Sequence, residues 1–205
     1  MILLVAVILG IIAGLASAWV RGRSYDLGDF HRLWIVLVAF IPQYLAFYQP
    51  MIRIQVSREW AAVALVGSQL LLLAFVWLNR TSVPILCMGL GLLLNLAVIL
   101  ANGGLMPISP QTLARLAPDG EVASWTIGER VFSSKNIVLP EESTRLSWLT
   151  DRWTLPEWVR YRVAFSAGDV VLAVGVFWLL WRGGAAHHLS SESGQTTSSG
   201  IRESI

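Results

Sequence analysis

The dominant feature of this sequence is a series of five long apolar runs that are almost free of charged residues. A transmembrane helix needs about 20 mostly apolar residues to cross a hydrocarbon layer about 30 Å thick. The runs cover residues 1–20, 33–48, 60–78, 83–101 and 163–181. Apolar segments of this length cross lipid as helices, because a helix satisfies its own backbone polar groups. We therefore predict an all-α membrane protein with five transmembrane helices.

The composition agrees with a chain that lies largely in a lipid bilayer. Only 14% of the residues are charged and 55% are hydrophobic, whereas a soluble domain carries about 25% charged residues. The 15 basic and 13 acidic residues nearly balance, which excludes a strongly basic nucleic-acid-binding surface. Cys87 is the single cysteine, so no intramolecular disulfide can form. We expect no metal, no cofactor and no nucleic-acid partner.

Tryptophan positions support the boundaries of the runs. Indole rings prefer the membrane interface, where one edge of the ring meets lipid and the other meets water. Six of the ten tryptophans lie at or near the ends of runs: Trp19, Trp34, Trp60, Trp77, Trp178 and Trp181.

The first run has an alternative interpretation as a cleaved signal peptide. Ala16-Ser17-Ala18 has the small-residue pattern of a signal-peptidase site. No Lys or Arg precedes the run, however, and the first positive charges, Arg21 and Arg23, follow it. A secretory signal carries its positive charges before the apolar segment. The flanks therefore favour an uncleaved helix with its amino end outside.

Positive charges predict the orientation. Cytoplasmic loops of membrane proteins are enriched in Lys and Arg. One side of a five-span chain collects Arg21, Arg23, Arg32, Arg80 and Arg182, and the opposite side has Arg53 and Arg58 in its short loop and Arg160 and Arg162 beside the fifth run. We expect a multi-pass protein of the bacterial inner (cell) membrane with a cytoplasmic carboxyl terminus.

Between the fourth and fifth runs lies a stretch of 58 residues, 105–162, that we call the cap. Its seven basic and seven acidic residues predict that it lies outside the membrane, on the non-cytoplasmic side. Ser109-Pro110 predicts the start of a short helix that ends before Pro118. Residues 122–139 lack a clear period and predict a small hairpin or a coil. After Gly183, the serine-rich residues 183–205 predict a disordered tail.

Leu146, Leu149 and Trp153 recur at helical spacing within residues 141–153. Together with the other tryptophans of the cap, this pattern is typical of a segment lying in the membrane interface. The alternative is that these side chains pack the interior of the cap.

Polar residues within the runs are candidates for a functional site, because they are unfavourable in lipid. Asp169 is the leading candidate. Ser166 and Asp169 also have the spacing of a helix capping box, which would move the start of the fifth helix to Ser166. Asn95 and Asn102 share a face of the fourth run with Gly91. Packing against another helix explains that face as well as ligand binding does.

Three strings resemble an uncharacterised bacterial family of small multi-pass membrane proteins that is known only as a domain of unknown function. They are Asn102-Gly103-Gly104-Leu105-Met106-Pro107, Thr144-Arg145-Leu146 with Leu149 and Asp151, and Phe165-Ser166-Ala167-Gly168-Asp169 with Gly175. The resemblance extends from the fourth run onward. It implies a multi-pass membrane protein and assigns no activity.

The last of these strings is also similar to the Phe-Asn-x-Ala-Asp motif of the lipoprotein signal peptidases, which are intramembrane aspartyl enzymes. Phe165 and Asp169 match this motif, whereas Ser166 and Gly168 differ. The second motif of that family, Asn-x-x-Asp-Arg, is similar to residues 148–152, where Asp151 and Arg152 match and Trp148 replaces Asn. The resemblance implies Asp169 and Asp151 as catalytic candidates.

Three functions remain open from the sequence. The first is a membrane protein whose non-cytoplasmic cap binds a lipid, a peptide or a protein partner near Asp169, with Asn95, Asn102 and Ser166 as candidate binding residues. The second is a membrane aspartyl hydrolase that uses Asp151 and Asp169. The third is a small transporter, although the runs show no internal repeat and no pair of broken helices.

Overall fold

A computed structural model describes residues 2–116, 125–131, 134–156, 158–159 and 161–184. Within these residues most of the chain is helical, and the cap holds the short strands. The α-helices are α1 (Ile2–Val20), α2 (Trp34–Gln43), α3 (Pro50–Arg53), α4 (Arg58–Leu78), α5 (Val83–Ala101), α6 (Pro110–Leu116) and α7 (Ala167–Arg182).

Three of these helices, α1, α4 and α5, are long and apolar enough to cross a membrane. They coincide with the first, third and fourth apolar runs to within two residues. The second run forms α2 and a π-helical turn, Tyr44–Tyr48, so its apolar helix is shorter than a typical span. The fifth run was predicted to become helical at residue 163 or, if Ser166 and Asp169 formed a capping box, at Ser166. The second prediction agrees with the structure, since α7 begins at Ala167, directly after Ser166, and has 16 residues. At 1.5 Å per residue, α7 is about 24 Å long.

The helices pack side by side in the order α1, α7, α5, α4, α2. Contacts along the pairs give their directions. Gly10 of α1 faces Phe177 of α7 and Gly14 faces Leu180, so α1 and α7 run parallel. Gly91 of α5 faces Gly168 of α7, and Gly175 of α7 faces Met88 of α5, so these two helices are antiparallel.

The remaining pairs, α5 with α4 and α4 with α2, are also antiparallel. Gly89 near the start of α5 meets Val76 near the end of α4. Asn79, which follows α4, donates a hydrogen bond to the carbonyl of His31 just before α2. As a result α1, α2, α4, α5 and α7 alternate in direction along the chain, and the described residues of the cap lie at the end of the bundle where α5 ends and α7 begins.

The interface between α5 and α7 depends on glycines. A Cβ atom at Gly91 would lie 2.6 Å from the carbonyl oxygen of Gly168 and 2.6 Å from the backbone nitrogen of Leu172. Such distances are too short for any side chain, so the two backbones touch. Cys87 also faces α7, where its Sγ atom lies 3.6 Å from the carbonyl oxygen of Val171. The face of the fourth run that carries Gly91 therefore packs against α7, as one of our two interpretations predicted.

The cap contains short strands, so the all-α prediction is wrong there. β1 (Met106–Ile108) pairs in parallel with β2 (Asn136–Val138), and β3 (Trp153–Thr154) pairs antiparallel with β4 (Ala164–Phe165). Both pairs are only two or three residues long. Long-range pairing of this kind leaves little periodic signal in the sequence, because three residues are too few to show a strand pattern.

The other predictions for the cap have mixed outcomes. Ser109 caps α6 by accepting a hydrogen bond from the backbone nitrogen of Thr112, as predicted. The helical spacing within 141–153 does not correspond to a continuous helix, since two 3-10 turns, Glu141–Ser143 and Ser147–Leu149, lead into β3. Part of the predicted hairpin or coil at 122–139 is described and contributes β2. Pro118 and residues 185–205 of the predicted tail lie outside the described residues.

One cap residue reaches the second apolar run directly. Arg130 donates hydrogen bonds to the carbonyl of Val56, at 2.8 Å, and to the carbonyl of Ala46 in the π-helical turn. Its guanidinium also lies over the ring of Phe47. Pro42 precedes this turn and lacks a backbone N–H, which weakens the regular helical pattern. Arg130 therefore fastens the cap to the irregular end of α2.

Candidate functional site at the junction of the cap and the helices

A cluster of charged and amide side chains joins the cap to α5 and α7, and we call it the junction cluster: Asn95, Lys135, Asn136, Asp151, Ser166 and Asp169. Its centre is the ammonium group of Lys135. The Nζ atom lies 3.3 Å from Oδ2 of Asp151 and 3.9 Å from Oδ2 of Asp169. One lysine thus links a carboxylate of the cap to a carboxylate of the helix bundle.

The α7 side of the cluster is a capping box, as the spacing of Ser166 and Asp169 predicted. Ser166 Oγ accepts a hydrogen bond from the backbone nitrogen of Asp169 at 3.0 Å, and Asp169 Oδ2 accepts one from the backbone nitrogen of Ser166 at 3.2 Å. Asn95 of α5 completes the arrangement. It donates to Asp169 Oδ1 at 2.9 Å and accepts from Ser166 Oγ at 2.8 Å.

The cap side of the cluster is more deeply buried. Asp151 is 1% exposed, and its Oδ2 accepts a hydrogen bond from Asn136 at 2.7 Å in addition to the contact with Lys135. Its Oδ1 is buried and has no hydrogen-bond partner within the described part of the chain. Buried carboxylate oxygens are normally hydrogen-bonded. This oxygen is therefore an unsatisfied acceptor at the centre of the site.

Burial and charge act differently on the two partners of the ion pair. Burial lowers the pKa of Lys135, but the carboxylates of Asp151 and Asp169 outweigh it and hold the pKa of Lys135 above its usual range. Burial raises the pKa of Asp151, and the attraction to Lys135 opposes that shift without cancelling it. The difference follows from the neighbouring charges: Lys135 has two carboxylates beside it, whereas Asp151 has one ammonium group and the like charge of Asp169, which adds to the effect of burial.

The structure brings together four of the five residues predicted from the sequence: Asp151, Asp169, Asn95 and Ser166. The fifth, Asn102, lies at the end of α5. Its side chain exchanges two hydrogen bonds with the backbone of Arg145, donating to the carbonyl at 2.9 Å and accepting from the nitrogen at 3.0 Å. Asn102 therefore holds the loop before the second 3-10 turn against the helix bundle.

The sequence interpretation missed Lys135 and Asn136. The sequence did contain a signal for Lys135, because it is the single lysine of a chain whose other strongly basic residues are all arginines. A compact ammonium group fits between two carboxylates, whereas a planar guanidinium favours a side-by-side pairing with one of them. Asn136 gave no signal of its own.

A second feature, which we call the cap cleft, lies against the junction cluster. Its volume is about 280 Å³, and its lining includes Pro107, Thr150 and Arg152. Thr150 and Arg152 are the chain neighbours of Asp151, whose backbone nitrogen donates to the carbonyl of Pro107. Asp151 therefore fixes the wall of the cleft, and the junction cluster in turn fixes Asp151.

The arrangement of acidic residues does not form a metal centre within the described residues, where no group of three or more His, Cys, Asp or Glu side chains converges. The two carboxylates of the junction cluster share an ammonium group instead. What the cluster offers chemically is one fixed positive charge, two negative charges and an unsatisfied carboxylate oxygen.

Comparison with known proteins gives a family for this fold and site. The sequence pattern of DUF5317, a family of unknown function, matches residues 28–181. The chain belongs to the DUF5317 family. The resemblance to a family of unknown function is thereby confirmed, and the match includes every residue of the junction cluster. No curated protein and no solved structure matches the chain.

Proposed function

We propose that this member of DUF5317 is a five-span membrane protein whose cap binds a lipid, a peptide or a protein partner beside Asp169. The observation that carries the proposal is the cap cleft, whose wall is joined to α5 and α7 through Asp151, Lys135 and Asp169. Binding sites are concave and have a few fixed polar groups. A cleft anchored in this way keeps its shape when a ligand enters.

The alternating directions of α1, α2, α4, α5 and α7 support five crossings, although α2 and α7 are short. A short helix can cross by locally thinning the bilayer or by adding flanking residues to its span. Charge supports the orientation. Arg21, Arg23, Arg80 and Arg182 all lie at the end of the bundle opposite the cap, and the positive-inside rule places that end in the cytoplasm.

Cysteine labelling tests the topology. In a Cys87→Ser background, a membrane-impermeant maleimide should label Gln55→Cys and Ile127→Cys in intact cells, and should label Ser24→Cys and Thr81→Cys only after lysis. If Ser24→Cys and Gln55→Cys were labelled from the same side, α2 would not cross and the five-span proposal would fail.

Photocrosslinking tests the binding function. A photoreactive residue replacing Tyr48, which is 66% exposed and lies in the π-helical turn that Arg130 of the cap contacts, should capture a partner or a lipid. The matched control replaces Trp19, which is 84% exposed near the opposite end of the bundle. Purified protein should also retain the captured molecule through gel filtration. Equal capture at both positions, with no molecule retained, would contradict binding at the cap.

A second candidate function is a membrane aspartyl hydrolase, which we infer from the approach of Asp151 and Asp169 to one ammonium group and from the unsatisfied Oδ1 of Asp151. Aspartyl catalysis uses two carboxylates that share a proton. Lys135 lies between the carboxylates here, so it would have to move aside for water to enter.

The hydrolase has a sharp test in Asp169→Asn. This variant should abolish cleavage of a membrane peptide substrate while the protein stays folded, because an amide accepts hydrogen bonds but cannot act as a general base. A purely structural Asp169 would give a lower thermal stability instead. Full activity in the Asn variant would exclude the hydrolase.

A further inference from the structure

The charges around the cap cleft indicate the kind of ligand that it can hold. Among the lining residues described, Arg115 and Arg152 are positive and Glu141 is negative. Arg152 Nη2 lies 3.4 Å from Glu141 Oε1, and both side chains are well exposed. An exposed ion pair of this kind contributes little free energy and is easily rearranged. The cleft therefore carries one net positive charge and two guanidinium groups that a ligand can reach.

Most of the hydroxyl groups in the cleft are already engaged within the protein. Ser109 and Thr112 share a hydrogen bond, Thr144 donates to the carbonyl of Pro140, and Thr150 donates to the carbonyl of Ser147. These bonds fix the walls. Arg115 and Gln111 make no side-chain hydrogen bond within the described part of the chain, so their donors are available to a ligand.

Guanidinium groups bind phosphate oxygens in a forked geometry with two charge-assisted hydrogen bonds. A phosphate monoester carries about −1.5 to −2 charges near neutral pH, which exceeds the single net charge of the cleft. A phosphodiester has one negative charge and matches it. The carboxylate of Glu141 and the side-chain amide oxygen of Gln111 are then acceptors for a hydroxyl group attached to the phosphodiester.

The position of the cleft favours a ligand at the membrane surface. Trp153 lines the cleft and is 42% exposed, and the nearby Trp148 is 59% exposed. Exposed tryptophans concentrate at the level of the lipid headgroups. The cleft volume of about 280 Å³ lies just below the range of pockets for drug-sized ligands. It can hold a headgroup but not the acyl chains attached to it.

We propose that the cap cleft binds a phosphodiester bearing a hydroxylated substituent, with Arg115 and Arg152 on the phosphate oxygens and Glu141 on the hydroxyl group. This inference rests on the proposed binding function of the cap and names its ligand chemistry. The phosphodiester can come from a lipid such as phosphatidylglycerol or from a soluble glycerophosphodiester.

The test uses the full chain purified in an alkyl maltoside and native mass spectrometry with added lipids. Phosphatidylglycerol should stay bound more strongly than phosphatidylcholine with the same acyl chains. Arg115→Gln and Arg152→Gln should each weaken its binding about tenfold, because each removes a charge-assisted hydrogen bond. Arg145→Gln is the matched control, since Arg145 is an exposed arginine of the cap that does not line the cleft, and it should have no effect.

A variant that should strengthen binding, rather than weaken it, separates ligand binding from a structural role. Glu141→Gln removes the negative charge beside Arg152 while keeping an acceptor, so it should strengthen phosphatidylglycerol binding about twofold or more. Soluble glycerophosphoglycerol then distinguishes the two sources. If glycerophosphoglycerol at the same concentration displaces phosphatidylglycerol, the cleft binds a soluble phosphodiester without acyl chains. If it does not, the ligand of the cleft is the lipid.

Equal retention of the two lipids, or retention that is unchanged in both arginine variants, would overturn the inference. If a different molecule co-purifies and is captured at Tyr48 but is insensitive to Arg115→Gln and Arg152→Gln, the phosphodiester inference fails and the binding function stands. If nothing is retained or captured, both fail.

Discussion

The Nζ atom of Lys135 lies 3.3 Å from Oδ2 of Asp151, and this pair joins the cap to the helix bundle through Asp169. Burying ionised groups is unfavourable unless each is paired, and removing one partner of a buried pair is strongly destabilising. The integrity of the cap should therefore depend on the one lysine of the chain, which gives a direct mutational test.

Lys135→Met should destabilise the protein by about 1–3 kcal/mol. This is less than the 3–5 kcal/mol typical of a broken buried pair, because the lysine side chain is partly exposed and solvent screens its charge. Thermal unfolding in detergent measures the effect. Lys135→Arg, which keeps the positive charge, should lose less stability than Lys135→Met. Adding Asp151→Asn to Lys135→Met should recover part of the loss, and a larger loss in the double variant would contradict the pairing.

The stability of the protein should depend on pH through Asp151. Because its pKa is raised above 3.8 in the folded protein, the folded state binds more protons than the unfolded state between 3.8 and the raised value. The free energy of unfolding should therefore fall as pH rises through that window. The comparison is wild type against Asp151→Asn, in which this dependence should vanish. A wild-type stability that rises more steeply with pH than that of the variant would contradict the assignment.

The stability that Lys135 contributes should change with pH only in the alkaline range. Its folded pKa is raised above 10.5, so the stability contributed by its ammonium group is fully present below pH 10.5 and is lost as pH rises through the folded value. Alkaline titration of wild type and Lys135→Met, followed by thermal unfolding, checks this. Convergence of the two stabilities already at pH 8 would show that the ammonium group contributes nothing at neutral pH.

Gly91→Ala should destabilise the contact between α5 and α7 by about 1–3 kcal/mol, because the new Cβ atom overlaps the backbone of α7. Gly67→Ala in α4 is the matched control. A Cβ atom there meets nothing within 4 Å, so the substitution should stabilise α4 by up to about 1 kcal/mol through helix propensity. Both are measured as shifts in thermal unfolding. Equal effects of the two substitutions would contradict the close approach of the backbones.

Asn102→Ala should loosen the loop around Arg145 while the bundle remains folded. Two hydrogen bonds to the backbone of Arg145 are lost, at roughly 1 kcal/mol each or less, since water can replace them at an exposed site. Trypsin should then cleave after Arg145 faster than in wild type. Glu142→Ala, a substitution in the same exposed loop, should leave the cleavage rate unchanged.

The sequence alone determined the three long helices and the cap of α7. The boundaries of α1, α4 and α5 follow from long apolar runs, and the capping box of α7 follows from the spacing of Ser166 and Asp169. These features are local. A helix forms its hydrogen bonds within itself, and a capping residue bonds to a backbone nitrogen three positions away, so neighbouring residues carry the whole signal.

Tertiary structure decided the strands of the cap and the meeting of Lys135, Asp151 and Asp169. Two-residue and three-residue strands have no period to read, and Met106 pairs with Asn136 only because the chain between them folds back. Sequence singled out both aspartates but gave no distance between them. That distance depends on how β2, the second 3-10 turn and α7 pack, and packing between segments far apart in the chain is a property of the folded molecule rather than of any one stretch of residues.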